Sequence, residues 1–141
     1  MQASISWKDG MAFEAKLDGF DFMIDADKQF GGQGLGPKPK GLTLISLAGC
    51  TAMDVISILT KKRVIVDSFQ VATEAVLAGE HPKKFDEVVI KYMFKGDDLP
   101  LDKIKRAIEL SLEKYCGVHA TLKPTVSLSH QIIINDQVVE G

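Results

Sequence analysis

The sequence predicts a two-layer α+β protein of order βββ-α-ββ-α-β, with antiparallel sheets and a buried central helix. Three observations carry this. Alternating runs broken by Asp-Gly pairs fill the first twenty-five residues. A long apolar stretch, residues 41–63, has helical periodicity. Two β-type runs, an amphipathic helical stretch and a final β-rich run complete the chain. At 141 residues, 45% hydrophobic and 26% charged, the chain is expected to form a single domain over 1–141 with a core of its own.

Residues 2–8, 11–17 and 20–25 read as three short strands. Ile5 and Trp7, then Met11, Phe13, Ala15 and Leu17, alternate with polar residues, and Asp9-Gly10 and Asp18-Gly19 mark tight hairpin turns. The meander is expected to turn Trp7, Phe13 and Phe20 or Phe22 toward a shared core. Residues 26–40 hold four glycines and two prolines. The GGQGLG within them lacks GxGxxG spacing, and Pro37 and Pro39 stand where a helix should open directly from the glycines, so nucleotide binding is not indicated. The segment reads as a connection, or as a lid or cleft wall.

Gly41 to Arg63, GLTLISLAGCTAMDVISILTKKR, reads as one helix apolar over most of its circumference, the pattern of a buried helix. Its length would suit a bilayer span, but Asp54, Thr43, Ser46, Ser57 and Thr60 interrupt the apolar run, so a core helix is expected and no membrane. At about 3.6 residues per turn, Thr43, Ser46, Cys50, Asp54 and Ser57 fall on one narrow seam. Cys50 therefore lies on the polar stripe, beside Ala48 and Gly49, which would let another backbone approach.

Val64–Ala78 and Phe85–Lys95 read as a second hairpin turned at Gly79-Glu80-His81-Pro82. Asp97 or Asp98 can cap the next helix, with Pro100 at its first position. Leu101, Ile104, Ala107, Ile108, Leu112 and Tyr115 form its apolar face, and Gly117 stops it. Cys116 extends the row Ile104, Ile108, Leu112 in the last turn. Thr125–Asn135 reads as the closing strand.

Seventeen basic against nineteen acidic residues give a net charge of -2. They are scattered, with no basic stripe, so nucleic acid is not an expected partner. The N-terminal MQASISWKDG lacks a signal-peptide pattern, so a cytosolic protein is expected. In a reducing cytosol, Cys50 and Cys116 are either two buried thiols or a redox pair. There is no CxxC, and His81, His119 and His130 lack paired spacing, so no bound metal is expected.

The meander, the loop GGQGLGPKP, the helix GLTLISLAGCTAMDVISILTKKR, the later EKYCGVHATL and the closing strand together resemble the OsmC/Ohr family, the osmotically inducible and organic hydroperoxide resistance proteins. The likeness spans nearly the whole chain and is nearer to the OsmC-like branch than to the best-characterised hydroperoxide reductases. It implies a thiol peroxidase acting on organic or small hydroperoxides, with Cys50 peroxidatic and Cys116 resolving as a disulfide. It further implies an intertwined homodimer with sites near the subunit interface, no bound cofactor, and an external dithiol reductant of lipoyl type. Such chemistry needs a lowered thiol pKa and a positive charge for the leaving oxygen. Cys50 lies too deep in its helix for the helix dipole to serve. In the family an arginine of the first hairpin supplies the charge, held by a glutamate before the cysteine helix. Here Lys8 stands at about the arginine position and Lys40 follows Pro39 where glutamate is usual; Arg63 and Arg106 are the only arginines. Lys8 is accordingly the candidate cation. Asp54 would make a polar contact at the dimer seam, His119 would donate a proton or serve as a hydrogen-bonded structural histidine, and Phe20, Phe22, Phe30 and Met53 would line an apolar pocket. The alternative is a non-catalytic homodimer of the same fold that binds a small hydrophobic ligand.

Overall fold

The alternating N-terminal runs become a three-stranded antiparallel meander of β1 (Ala3–Asp9), β2 (Ala12–Leu17) and β3 (Phe20–Ile24). Gly10 and Gly19, at φ +54° and +81°, supply the left-handed turn positions that Asp-Gly pairs favour. The computed structural model describes residues 1–141, which divide into two compact units, 1–43 and 44–141.

In the first unit the buried side chains are small: Ala12, Ala15, Ile24 and Asp25. The aromatic core expected of the meander does not form within the chain. Trp7 pairs across the ladder with Phe13 but is 65% exposed, and Phe20 is 76% exposed. The Trp7 indole N–H closes onto the Gly10 carbonyl at 2.8 Å instead of packing inward. The following glycine-rich segment is organised by Asp25, whose carboxylate accepts N–H groups from Ala26 (2.8 Å), Gln33 (3.0 Å) and Leu35 (3.2 Å). Those donors, Gln33 first and then Ala26, lower the Asp25 pKa. The loop glycines permit tight passage: a Cβ on Gly32 would strike the Ala26 carbonyl, and one on Gly36 the Met23 carbonyl.

Helix α1 (Pro39–Lys61) is unbroken over 23 residues. In the second unit it is followed by β4 (Ser68–Leu77), β5 (Phe85–Lys95), α2 (Leu101–Leu110), the short α3 (Gly117–Leu122), β6 (Ser127–Ile134) and β7 (Gln137–Glu140). The sheet order is β4-β5-β6-β7. The α+β class holds, but β5 and β6 pair in parallel, so this sheet is mixed rather than antiparallel. The reason is topological: the helices between them carry the chain back across the sheet before β6 begins. The closing strand is a hairpin, with β7 returning through Asn135 and Asp136, both at positive φ. No aspartate side chain caps α2; Pro100 takes the N-cap position with extended backbone.

β5 alternates as a half-buried strand should, and its Val88, Ile90, Tyr92 and Phe94 are all buried. They share one core with Leu47, Val55 and Leu59 of α1 and Ile104, Ala107 and Ile108 of α2. Each fully buried Leu, Ile or Val there stabilises the fold by on the order of 2 kcal/mol. By length and composition α1 would suit a membrane span, yet Leu47, Thr51, Val55 and Leu59 form an i, i+4 stripe into this core. The expectation that α1 is buried all round is not met within one chain. Ile45 is 70% and Met53 73% exposed, because one sheet and one helix pair cover only one side of it.

Candidate active site

A helix interior holds side chains i and i+4 on one face, and α1 uses this to place Cys50 and Asp54 side by side at the edge of its buried stripe. Both are partly buried. Gly49, next to Cys50, has no neighbour that a Cβ would touch, so the close backbone approach expected there is not made within this chain.

The second cysteine arrives by a break in helical geometry. After Leu110 the chain widens into a π-helical turn, Ser111–Tyr115, closed by the Cys116 N–H on the Ser111 carbonyl at 2.7 Å. One inserted residue rotates everything beyond it relative to a continuous helix. Ser111, before the rotation, keeps the buried i, i+3, i+4, i+7 face of Ile104, Ala107 and Ile108, whereas Tyr115, expected on the apolar face, is 54% exposed. Cys116 is not in the last turn of the helix; it is extended and caps α3, its sulfur accepting the His119 N–H at 3.4 Å.

The outcome is a cluster in which the Cys50 sulfur, the Cys116 sulfur and an Asp54 carboxylate oxygen lie within 4.8 Å of one another. Both cysteines are free thiols. Behind them runs a buried line of hydroxyls. Tyr92 and Thr51 share a hydrogen bond at 2.7 Å, Thr51 and Ser111 another at 2.8 Å, and the Ser111 hydroxyl donates to Asp54 at 2.9 Å. Buried hydroxyls need such partners. Here they join β5, α1 and the π turn, and they fix the direction of the Asp54 carboxylate.

The two sulfurs differ in setting. Cys116 is only 3% exposed, and burial pushes its thiol pKa up to about 11, reinforced by Cys50 and Asp54 and only partly opposed by the His119 N–H. Burial likewise raises Tyr92, which stays a neutral phenol. His119 is lowered, by burial first and then by Lys123, so near neutral pH it is uncharged. Its Nδ1 is buried without a hydrogen-bond partner, and its link to Cys116 is through its backbone.

Of the residues singled out from the sequence, the fold brings Cys50, Asp54 and Cys116 together. Asp54 engages Ser111 of its own chain. Met53 lines a groove of about 580 Å³ with Asp54, Ile58, Leu110 and Tyr115, and Lys61 and Lys62 border it. Phe20, Phe22 and Phe30 belong to residues 1–43 and are exposed there. Lys8 lies on β1, its side chain half exposed and its Nζ 3.9 Å from the Glu14 carboxylate. Thr51, Tyr92 and Ser111 were not evident from the sequence. The available signal was Tyr92, a polar-tipped residue at an inward position of an alternating strand.

The OsmC-like protein family model matches residues 31–131, which include both cysteines and the whole hydroxyl line. Protein YhfA of Escherichia coli K12 is 33% identical over 131 residues, covering 92% of this chain and 95% of YhfA. Among solved structures, a hypothetical protein from Aquifex aeolicus VF5 superposes with a TM-score of 0.79 at 27% identity, covering 95% of this chain and 96% of that one. An organic hydroperoxide resistance protein OsmC from Legionella pneumophila shares the fold with a TM-score of 0.69 at 15% identity, covering 94% and 95% of the two chains. With the thiol pair, the fold and these matches in agreement, the chain belongs to the OsmC-like family.

Proposed function

We propose that the protein is a cytoplasmic thiol peroxidase that reduces organic or small hydroperoxides. One observation carries the reading: two free thiols, remote in sequence, lie within 4.8 Å of a common carboxylate and of each other. Cys50, the more open sulfur, attacks a peroxide oxygen as thiolate; the O–O bond breaks, and the departing oxygen takes a proton to leave as alcohol or water. The resulting Cys50 sulfenic acid condenses with the Cys116 thiol, forming a disulfide and releasing water. An external dithiol, of lipoyl type by family likeness, then restores both thiols by exchange. Burial suits Cys116 to the second step, since a thiol kept protonated does not compete for peroxide.

Lys8 is proposed as the cation that offsets charge on the departing oxygen, in place of arginine. As a point charge it lacks the two-pronged geometry of a guanidinium. A homodimer is proposed as the working form, since Ile45 and Met53 on α1, and Trp7 and Phe20 on the meander, leave apolar surface uncovered. The alternative, a binder of small hydrophobic ligands, has the groove beside Asp54 in its favour. Thiol titration before and after one equivalent of cumene hydroperoxide separates the two. Loss of two thiols per chain as an intramolecular disulfide is expected; unchanged thiols would leave only the binder.

A further inference from the structure

We infer that, in its reduced state, the cluster of Cys50, Asp54 and Cys116 binds Zn²⁺. Two sulfurs and one carboxylate oxygen already converge within 4.8 Å. In a tetrahedral zinc site with Zn–S of about 2.3 Å and Zn–O of about 2.0 Å, sulfurs stand about 3.8 Å apart and sulfur and oxygen about 3.5 Å, so each pair of donors needs to draw in by no more than about 1.3 Å. The donor set suits a borderline-soft d¹⁰ ion: two thiolates select against Mg²⁺ and Ca²⁺, which prefer all-oxygen surroundings. With two thiolates and a carboxylate the site would carry one net negative charge when filled, and three protein donors leave the fourth position for water.

Two further features separate this cluster from a chance meeting of side chains. Its carboxylate is pre-aimed: Ser111 donates to Asp54 at 2.9 Å and is itself held by Thr51 at 2.8 Å, which Tyr92 holds at 2.7 Å. Such supporting hydrogen bonds fix ligand direction in metal sites. The cluster also has a route to solvent, because Asp54 lines the open groove with Leu110 and Tyr115. Donor spacing along the chain conceals the site, since Cys50 and Asp54 come from α1 and Cys116 from the cap of α3. The same two sulfurs cannot serve a disulfide and a metal at once, so zinc would occupy the site only when both thiols are reduced, and would shield Cys50 from peroxide.

Reduced, metal-free protein titrated anaerobically with Co²⁺, as the spectroscopic stand-in for Zn²⁺, tests this. The expected result is thiolate-to-cobalt charge-transfer absorption saturating at one ion per chain and erased by one equivalent of Zn²⁺. The signal should vanish in Cys50→Ser and in Cys116→Ser, and in protein first oxidised to the disulfide with diamide. Asp54→Asn should weaken binding by more than about tenfold, and Ser111→Ala by about tenfold, within the range for lost supporting hydrogen bonds. Absence of the absorption in the wild type, or its persistence at full strength in Cys50→Ser, would overturn the site; an unweakened Asp54→Asn would remove the carboxylate from it. Zn²⁺ protection of wild-type thiols from iodoacetamide gives the same answer without any variant. Peroxide turnover plays no part in these readings: cobalt binding without turnover would refute the peroxidase alone, and turnover without cobalt binding the zinc site alone.

Discussion

Cys50 sits midway along an unbroken 23-residue helix and is partly open, whereas Cys116 sits where helical geometry is interrupted and is 3% exposed. The regular helix offers its cysteine an i+4 neighbour, Asp54, and little else. The interrupted one turns its cysteine out of the helical row, caps it with a backbone N–H and seals it under the core. Two identical side chains thereby acquire different chemistry. One stays partly open, and the other is kept a neutral thiol beside it.

The contrast is broken most severely by replacing either sulfur. Cys50→Ser should lower peroxide turnover by more than about a thousandfold, since a hydroxyl at neutral pH is a far weaker nucleophile. Cys116→Ser should allow one round and then leave Cys50 to over-oxidise, seen as added oxygen masses on the intact protein. Equal residual turnover in the two variants would refute the division of labour.

Next in size is the hydroxyl line joining the two regions. Thr51→Val keeps the volume but strips Tyr92 and Ser111 of their shared partner, so unfolding free energy should fall by about 1–3 kcal/mol in urea titration. A change near zero would show that Tyr92 finds another partner.

A smaller effect sharpens the difference between the thiols. At pH 7.5 iodoacetamide should label Cys50 faster than Cys116 by more than about tenfold, as read by peptide mass spectrometry. Alkylation needs thiolate, and the Cys116 pKa is raised, so its labelling should keep accelerating with pH and level off only near pH 11. A plateau by pH 9 would mean that burial does not hold its proton.

The smallest change expected is at Lys8. A half-exposed lysine already 3.9 Å from Glu14 delivers a screened charge, so Lys8→Ala should slow sulfenic acid formation by only a few-fold, to about tenfold. Disulfide closure should not change. Rapid mixing with cumene hydroperoxide resolves the two steps, and an unaltered first step would dismiss Lys8 as the cation.

Much of this molecule is legible in local pattern. Asp-Gly pairs located the meander to within a residue or two, because left-handed turn positions are hard to fill otherwise. The α1 periodicity placed Cys50 beside Asp54 correctly, since i, i+4 adjacency is a property of one helix and needs no partner. Pattern failed at the second cysteine for a physical reason. Ile104, Ile108 and Leu112 continue smoothly toward Cys116, and nothing in them announces that a π turn will leave Tyr115 outward and Cys116 in an extended cap. Trp7 and Phe20 failed for another, since hydrophobicity demands cover without saying which surface provides it.

From residue order alone came six of the seven strands, the two long helical stretches and the pairing of Cys50 with Asp54, all set by interactions within a few residues of each other. Only tertiary structure decided that Cys116 joins them, that Thr51, Tyr92 and Ser111 brace the carboxylate, and that β5 and β6 run parallel. Those facts depend on contacts between segments distant in the chain, where the return path of the backbone, not local preference, determines which side chains meet.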